Sequence, residues 1–345
     1  MKAVMKTRPA PGIELCDVPI PSFAPDELLV KLRTAALCGS DKDVYEYTPS
    51  VAAQNLKLPF IMGHELFGEV VDMGANVTGF SVGDMVASDS HMPCGSCYLC
   101  GTGKRHLCMK RGVLGRQKDG CFAEYMALPA VAAIRMAPDM KPEHGPLLEP
   151  LGVAIHAAQR VPLSGRSVLV IGLGSIGIME ADVVRLMGAN RLIVCSTSDE
   201  KLKAAVEHGA DHGINSKKAD VAAEVMRLTG GRGVDVVFEM SGVLKLFNIG
   251  IDCLAKGGSI VSVGLFNEDV VIPDYNSRVI RSERILTSIF GRLMYETWEV
   301  TKEFLALNRL ELDRYVGAVL PLDEFDRGVE LSRRVSGRIV YKISD

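Results

Sequence analysis

Four cysteines fall close together as Cys94-x2-Cys97-x2-Cys100-x7-Cys108, in a stretch that also holds Gly95, Gly101 and Gly103. Four thiolates at this spacing can wrap a tetrahedral metal and leave no coordination position open, which is the chemistry of structural zinc. An iron–sulfur cluster is the rival, but the Cys-Pro ending and the second cluster motif of ferredoxins are missing. Metal binding at such a lobe is folding free energy, because the lobe has little apolar core of its own. Two further ligand types stand apart: Cys38 in Cys38-Gly39-Ser40-Asp41, and His64 in Gly63-His64-Glu65. Two such residues far apart in sequence are common by chance, and on spacing alone the plainer readings, a buried free thiol and a hydrogen-bonded core histidine, prevail. A third piece of chemistry is the run Val168 to Met179, in which a β-branched apolar stretch gives way to Gly172-x-Gly174-x-x-Gly177. Ordinary turns also carry glycines at this spacing. If a strand precedes it and a helix follows, Gly172 allows the turn, Gly174 lets backbone approach a pyrophosphate and Gly177 lets helix and strand pack.

These residues need elements to hold them. From 1 to about 90 the chain alternates short β-like runs with Gly, Pro and Asp turns, for example Asp26 to Arg33 and Phe67 to Gly74, which predicts a compact β-rich domain. From Val168 onward, strand-like runs (Arg191–Cys195, Val234–Phe238, Gly258–Gly264) alternate with helical stretches such as Lys201–His208. That alternation predicts a parallel, doubly wound sheet. A length of 345 residues exceeds one usual core, so two domains are expected.

Composition narrows the function. A net charge of −3 supplies no basic field for nucleic acid or an anionic membrane, so the expected partner is a small molecule. The longest apolar run is the glycine-interrupted one above, too short to span a bilayer. The opening Met1-Lys2-Ala3-Val4-Met5-Lys6 enters a strand-like run with no apolar signal core, and a cytoplasmic location is expected. Of the nine cysteines, Cys16, Cys38, Cys121, Cys195 and Cys253 are scattered, which argues for metal rather than disulfides.

With these motifs in this order, the chain resembles the zinc-dependent medium-chain alcohol dehydrogenases over its whole length, and most of all their L-threonine 3-dehydrogenase and polyol (sorbitol) dehydrogenase branches. Asp17 to Pro21, Gly120 to Tyr125, Phe238 to Gly242 and especially Gly291-Arg292-Leu293-Met294-Tyr295-Glu296-Thr297-Trp298 carry the resemblance. It implies an α/β architecture: a discontinuous GroES-like catalytic domain of residues 1–153 and 291–345, with a Rossmann domain of residues 154–290 between. It implies two zinc ions per chain, one structural on the four-cysteine lobe and one catalytic on Cys38, His64 and Glu149, with Glu65 as an exchangeable ligand. Glu149 lies in the apolar run Pro146 to Leu151, where an unpaired carboxylate is costly and a metal removes the cost, although a carboxylate at a helix start is the plain alternative. Three ligands leave a position for substrate, and such a zinc lowers the pKa of bound water from about 16 to about 7. A comparable shift for an alcohol prepares hydride transfer to nicotinamide.

Ser40 matches the family's proton-relay hydroxyl, and it also suits a serine capping the next helix. Where relatives often have a histidine three residues later, this chain has Asp43, a poor acceptor near neutrality unless its pKa is raised. His91 matches a histidine near the substrate pocket, where it contacts substrate or orients the loop. The strand Leu192–Cys195 ends at Ser196 rather than at the Asp or Glu that grips a ribose in NAD enzymes. Ser196, Thr197, Ser198 and Lys201 suit a 2′-phosphate, so NADP is expected over NAD, with Ser175 and Ile176 completing the cofactor loop. Arg292 matches an arginine near substrate and nicotinamide; it can grip a carboxylate or phosphate, or serve as an interface ion pair. The implied substrate is a secondary alcohol with a polar neighbour: an amino alcohol such as L-threonine, a polyol or a cyclitol. The implied assembly is a homotetramer or homodimer. The alternative from another class is a non-catalytic dinucleotide-binding protein that keeps the fold, and the presence of Cys38, His64 and Glu149 together argues against it.

Overall fold

The structure is a computed structural model that describes residues 1–344. Its chain divides into two units: Met1–Pro150, Leu293–Trp298 and Glu311–Asp345 form one, and Leu151–Arg292 with Glu299–Leu310 form the other. The expected GroES-like domain takes residues 291–345 whole, whereas the helix Glu296–Ala306 has its first turn grouped with one unit and the rest with the other.

The first unit is β-rich. Its main sheet runs Ala133–Arg135, Met85–Ser88, Glu65–Met73, Glu27–Ala36, Arg338–Lys342, Val316–Pro321, and Tyr125–Pro129 also pairs with Glu27–Ala36. The Glu27–Ala36 strand organises it. Leu28, Val30 and Leu32 point into the core while Lys31 and Arg33 point away, the period of two that a half-buried strand requires. At its end Ala36 pairs with both Glu65 and Val340, so one residue sets the register of two neighbours. Phe122, Phe325 and Tyr341 close the core, with ring centroids 4.9 to 5.6 Å apart. Lys6 is 1% exposed, and its ammonium donates to the carbonyls of Gly12 and Tyr45 at 2.9 and 3.0 Å. The Tyr45 carbonyl belongs to the last turn of helix Gly39–Glu46, where a cation also favours the helix dipole.

The second unit is a six-stranded parallel sheet in the order His212–Asn215, Arg191–Ser196, Ser167–Ile171, Val234–Glu239, Leu254–Ser262, Ile285–Ser288. Numbered within the unit this is 3-2-1-4-5-6, the doubly wound order of dinucleotide-binding folds. Every residue of Ser167–Ile171 is buried, as a central parallel strand covered on both faces demands. The helices Ser175–Leu186, Asp199–Glu207, Val221–Leu228 and Leu244–Cys253 supply the crossovers. Among the described residues no helix is long and apolar enough to cross a membrane.

Candidate metal and dinucleotide sites

The end of the Glu27–Ala36 strand delivers Cys38 as the N-cap of helix Gly39–Glu46. Asp41, three residues on, accepts from the Cys38 amide at 3.0 Å while its own amide faces the cysteine, a capping box that fixes the thiol. Asp41 Oδ1 also lies 3.5 Å from His64 Nδ1, so the carboxylate that caps the helix orients the imidazole. Gly63 holds φ +94°, and a Cβ there would meet Cys121 Sγ and the Phe122 ring at 2.8 Å, so only glycine lets the chain reach His64 by this path. The Ser88 hydroxyl donates to the His64 carbonyl at 3.2 Å. Cys38, His64 and Glu65 thereby bring ligand atoms within 4.8 Å of one another.

Charge within this group is concentrated and mutually dependent. Burial pushes the Cys38 thiol up, but the neighbouring His64 and Arg338 outweigh it and bring it down to about 6. Burial disfavours His64 as a cation, yet Asp41 and Cys38 hold its pKa well above the usual value. Burial drives Glu65 well above the carboxylate range; Arg338 opposes the rise, and Cys38 and Glu149 add to it. Glu65 Oε1 accepts from Arg338 Nη2 at 2.7 Å, whereas its Oε2 is buried with no hydrogen-bond partner. A thiolate, an imidazole and a carboxylate oxygen left without a donor form a donor set that fits a zinc ion. Glu149, 5% exposed in the first turn of helix Leu148–Ala158, influences Glu65 and Arg338 through its charge but lies outside that three-residue group.

Cys94, Cys97, Cys100 and Cys108 form a second group with all ligand atoms within 4.8 Å, and all four are free thiols. Cys97 Sγ lies 3.5 Å from Cys100 Sγ and 3.8 Å from Cys108 Sγ. A tetrahedron with Zn–S bonds of about 2.3 Å has edges of about 3.8 Å, so the spacing fits zinc. Backbone amides point at the sulfurs: Cys94 N and Lys110 N donate to Cys108 Sγ at 3.2 and 3.4 Å. The backbone N–H of Ser96, with its hydroxyl, lowers the Cys94 thiol to about 6.

Around the first group, Ser40 and Asp43 share one face of helix Gly39–Glu46, three residues apart. Arg116 donates to the Ser40 carbonyl at 3.2 Å. Partial burial raises Asp43 above the ordinary aspartate value, with Arg116 pulling against it. His91, 5% exposed, begins the short strand His91–Met92, and its amide donates to Asp89 Oδ1 at 3.0 Å.

In the second unit the glycine-rich turn joins Ser167–Ile171 to helix Ser175–Leu186. Gly172 has φ +97°, a Cβ on Gly177 would sit 1.9 Å from the Gly172 carbonyl, and a Cβ on Gly174 would meet nothing within 4 Å. The first two glycine constraints build the turn; the open space at Gly174 leaves backbone for a ligand to approach. No side chain caps the N-terminus of this helix, which Ser175, Ile176 and Gly177 begin, and its amides suit a phosphate. Ser196 ends its strand and its hydroxyl accepts from the Ser198 amide at 3.3 Å. Ser198 in turn caps helix Asp199–Glu207 by accepting from Lys201 N, and Thr197 between them is exposed. Asp199 is taken up by Asn215 Nδ2 at 2.7 Å and by Lys218. Arg292 is 1% exposed and ends the second unit's main segment.

The motif reading missed Asp41, Arg338 and Glu239. Asp41 had a local signal, an acid three residues after an N-cap. Glu239, fully buried at the end of its strand, accepts from the amides of Ser241 and Gly242 at 2.8 and 3.1 Å and shapes the loop beside Gly172. Arg338 had none, because its partner is distant in sequence.

Comparison with known proteins agrees with this geometry. Residues 24–139 match the alcohol dehydrogenase GroES-like domain, and residues 175–307 match the zinc-binding dehydrogenase family. An L-threonine 3-dehydrogenase of Pyrococcus abyssi is 37% identical over 349 aligned residues, covering 99% of each chain. The alcohol dehydrogenase TADH from Thermus sp. ATN1 superposes with a TM-score of 0.90 at 26% identity, covering all of both chains. A zinc-binding dehydrogenase from Sinorhizobium meliloti, solved bound to NADP, superposes at 0.89 with 27% identity over 99% of each chain.

Proposed function

This chain belongs to the zinc-binding alcohol dehydrogenases with a GroES-like domain, and from that premise we propose that it oxidises a secondary alcohol bearing a polar neighbour to the ketone, with NADP in preference to NAD. That it is an NAD(P)-dependent alcohol dehydrogenase follows from full-length homology to L-threonine 3-dehydrogenases and from its structural neighbours. L-Threonine is the first substrate to test, with polyols and cyclitols next. The observation that carries the reading is the convergence of Cys38, His64 and Glu65, with one Glu65 oxygen lacking a donor.

Cys38 and His64 would hold the catalytic zinc, with Glu65 and Glu149 as its carboxylates, and the four-cysteine lobe would hold a second, structural zinc. When bound, the catalytic ion supplies the Lewis acidity that makes an alcohol hydroxyl acidic near neutral pH. The protein's own groups do the rest. Asp41 keeps the imidazole oriented, Arg338 holds one oxygen of Glu65, and Ser40 accepts the hydroxyl proton. Asp43, raised by burial, stands one helical turn from Ser40 to take the proton onward, in the role relatives give to histidine. His91 borders the alcohol, and Arg292 meets the substrate or the nicotinamide side of the cofactor.

NADP preference rests on Ser196 at the strand end, on Lys201 behind it, and on Asp199 being engaged by Asn215 and Lys218 rather than free to grip a ribose. The strand Ile285–Ser288 ends the parallel sheet with Ile285 55% exposed, an edge suited to pairing subunits in a homodimer or homotetramer. A cytoplasmic location suits such an enzyme. A panel of secondary alcohols including L-threonine, assayed by reduced-nicotinamide absorbance with each cofactor, tests the reading. No turnover of any alcohol by protein carrying two zinc ions would overturn it, and a clear preference for NAD would overturn the cofactor choice.

A further inference from the structure

Trp298 is the only tryptophan in the chain and is 1% exposed. Its indole Nε1 donates to Asp89 Oδ2 at 3.3 Å, across 209 positions of sequence. The other oxygen of Asp89 accepts from the His91 amide at 3.0 Å, and the Asp89 amide donates to the Ala132 carbonyl at 2.8 Å. Asp89 is fully buried, so both oxygens work in a low-dielectric setting where a lost donor is expensive. One residue earlier, the Ser88 hydroxyl holds the His64 carbonyl. The run Ser88 to His91 is thus a buried strap, tied at one end to a candidate metal ligand and along its length to Trp298.

A second anchor lies three residues before the tryptophan. Tyr295 adopts φ +72°, a left-handed conformation that is strained for an aromatic residue and persists only where surroundings over-determine it. Its hydroxyl donates to the Val131 carbonyl at 3.0 Å, next to the Ala132 carbonyl that Asp89 uses. The Arg105 guanidinium, within the four-cysteine lobe, lies 5.3 Å from the Tyr295 ring centroid. The segment Leu293–Trp298 therefore clamps the strap and the lobe together, and it groups with the first unit although the residues on either side of it group with the second.

We infer that Trp298 is a positioning residue for alcohol binding: by pinning the Asp89 carboxylate it fixes the backbone at His91, and so the placement of the imidazole against the substrate. The inference rests on the reading that His91 borders the alcohol. Misplacement of groups around a reacting substrate by about 1 Å can cost about a hundredfold, so removal of one pinning bond is expected to read out at the substrate.

The test uses full-length, zinc-loaded enzyme with L-threonine, or with the fastest alcohol of the panel above. Trp298→Phe keeps the ring and removes the donor. The expected result is a KM for the alcohol raised about tenfold, kcat within about threefold, and zinc content and the KM for cofactor unchanged. His91→Ala should raise the same KM, and the double variant should be no worse than His91→Ala alone, because both act through one group. Additive effects would overturn the inference. So would a Trp298→Phe protein that loses kcat, cofactor affinity and thermal stability together, the signature of a merely structural role. If His91→Ala leaves KM unchanged, it is the placement of His91 that fails, and the inference falls with it; the alcohol panel reports on the broader function independently. Because Trp298 is the sole tryptophan, intrinsic emission gives a readout apart from turnover. Saturating alcohol should change it in the parent and not in Asp89→Asn, where one of the two acceptor oxygens is replaced by a donor; a parent emission indifferent to substrate would overturn the inference.

Discussion

Arg338 Nη2 sits 2.7 Å from Glu65 Oε1 and closes an ion pair whose side chains expose only 6% and 0%. The pair joins the last strand of the chain to the candidate catalytic metal group, because Ala36 sets the register of both neighbouring strands. Removing the guanidinium takes away both the donor and the charge that oppose the burial of Glu65, and breaking such a pair costs about 3–5 kcal/mol. Arg338→Met is expected to cost the metal-free protein about that much and the zinc-loaded protein clearly less, since a bound cation replaces the guanidinium as counter-charge. Thermal unfolding with and without a chelator measures the difference. Equal losses in the two states would argue that no cation binds at Glu65.

The two candidate metal groups should separate cleanly under mutation. If the four cysteines hold the proposed structural zinc, Cys100→Ser is expected to take dialysed protein from about two zinc ions per chain to about one, and to open the segment from Cys94 to Cys108 to proteases, because a metal held there would supply that lobe's folding energy. Cys38→Ser is expected to lose one zinc and all turnover while the lobe stays protease-resistant. Elemental analysis beside limited proteolysis reads both, and a Cys100→Ser protein that kept two zinc ions would contradict the assignment.

How much of this was legible beforehand depended on sequence distance. The four-cysteine lobe and the Gly172 turn are local motifs, and their geometry follows from spacing alone. The parallel sheet was legible because alternating strand and helix patterns leave few alternatives. Which carboxylate joins Cys38 and His64 is less legible: the apolar neighbours of Glu149 make a lone charge there expensive, while Glu65, the expected exchangeable ligand, brings an oxygen within 4.8 Å of the thiol and imidazole because its strand pairs with Glu27–Ala36. Asp41 looked like a helix cap and proves to hold the imidazole as well. Arg338 with Glu65 and Trp298 with Asp89 join segments more than two hundred residues apart, and periodicity carries no information about such pairs. The division within helix Glu296–Ala306 was equally hidden, since one continuous helical pattern shows no unit boundary.

Glu180 gives the protein an expected pH signature. It is fully buried on helix Ser175–Leu186, neither carboxylate oxygen has a partner, and burial holds its pKa well above the ordinary value. A carboxyl raised on folding contributes fully below its unfolded pKa of about 4.3, and stability is lost as pH rises from there toward the folded value. The slope over that window is about 1.4 kcal/mol per pH unit. Glu180→Gln should match the parent's pH dependence less this slope, and so gain relative stability toward neutral and alkaline pH. Denaturant unfolding across pH 5 to 9 checks it, and parallel profiles for parent and variant would show that Glu180 is not buried as a neutral acid.

In the proposed preference for NADP, the cofactor choice turns on what stands at the end of the Arg191–Ser196 strand. Ser196 offers a hydroxyl there, while the nearest acid, Asp199, is turned to Asn215 and Lys218. A carboxylate at position 196 would repel a 2′-phosphate and accept hydrogen bonds from ribose hydroxyls, and each charged hydrogen bond gained or lost is worth about 1.5–3 kcal/mol. Ser196→Glu is therefore expected to lower kcat/KM with NADP by about ten- to a hundredfold and to raise it with NAD. Lys218→Ala, which removes one of the two partners of Asp199 and leaves Asn215 on the other oxygen, should move the ratio the same way by a smaller factor, since Asp199 also starts a helix rather than ending the strand. Steady-state kinetics with both cofactors at saturating alcohol give the ratio directly. A Ser196→Glu enzyme with an unchanged ratio would mean that the adenosine ribose lies elsewhere, and that the strand end does not choose the cofactor.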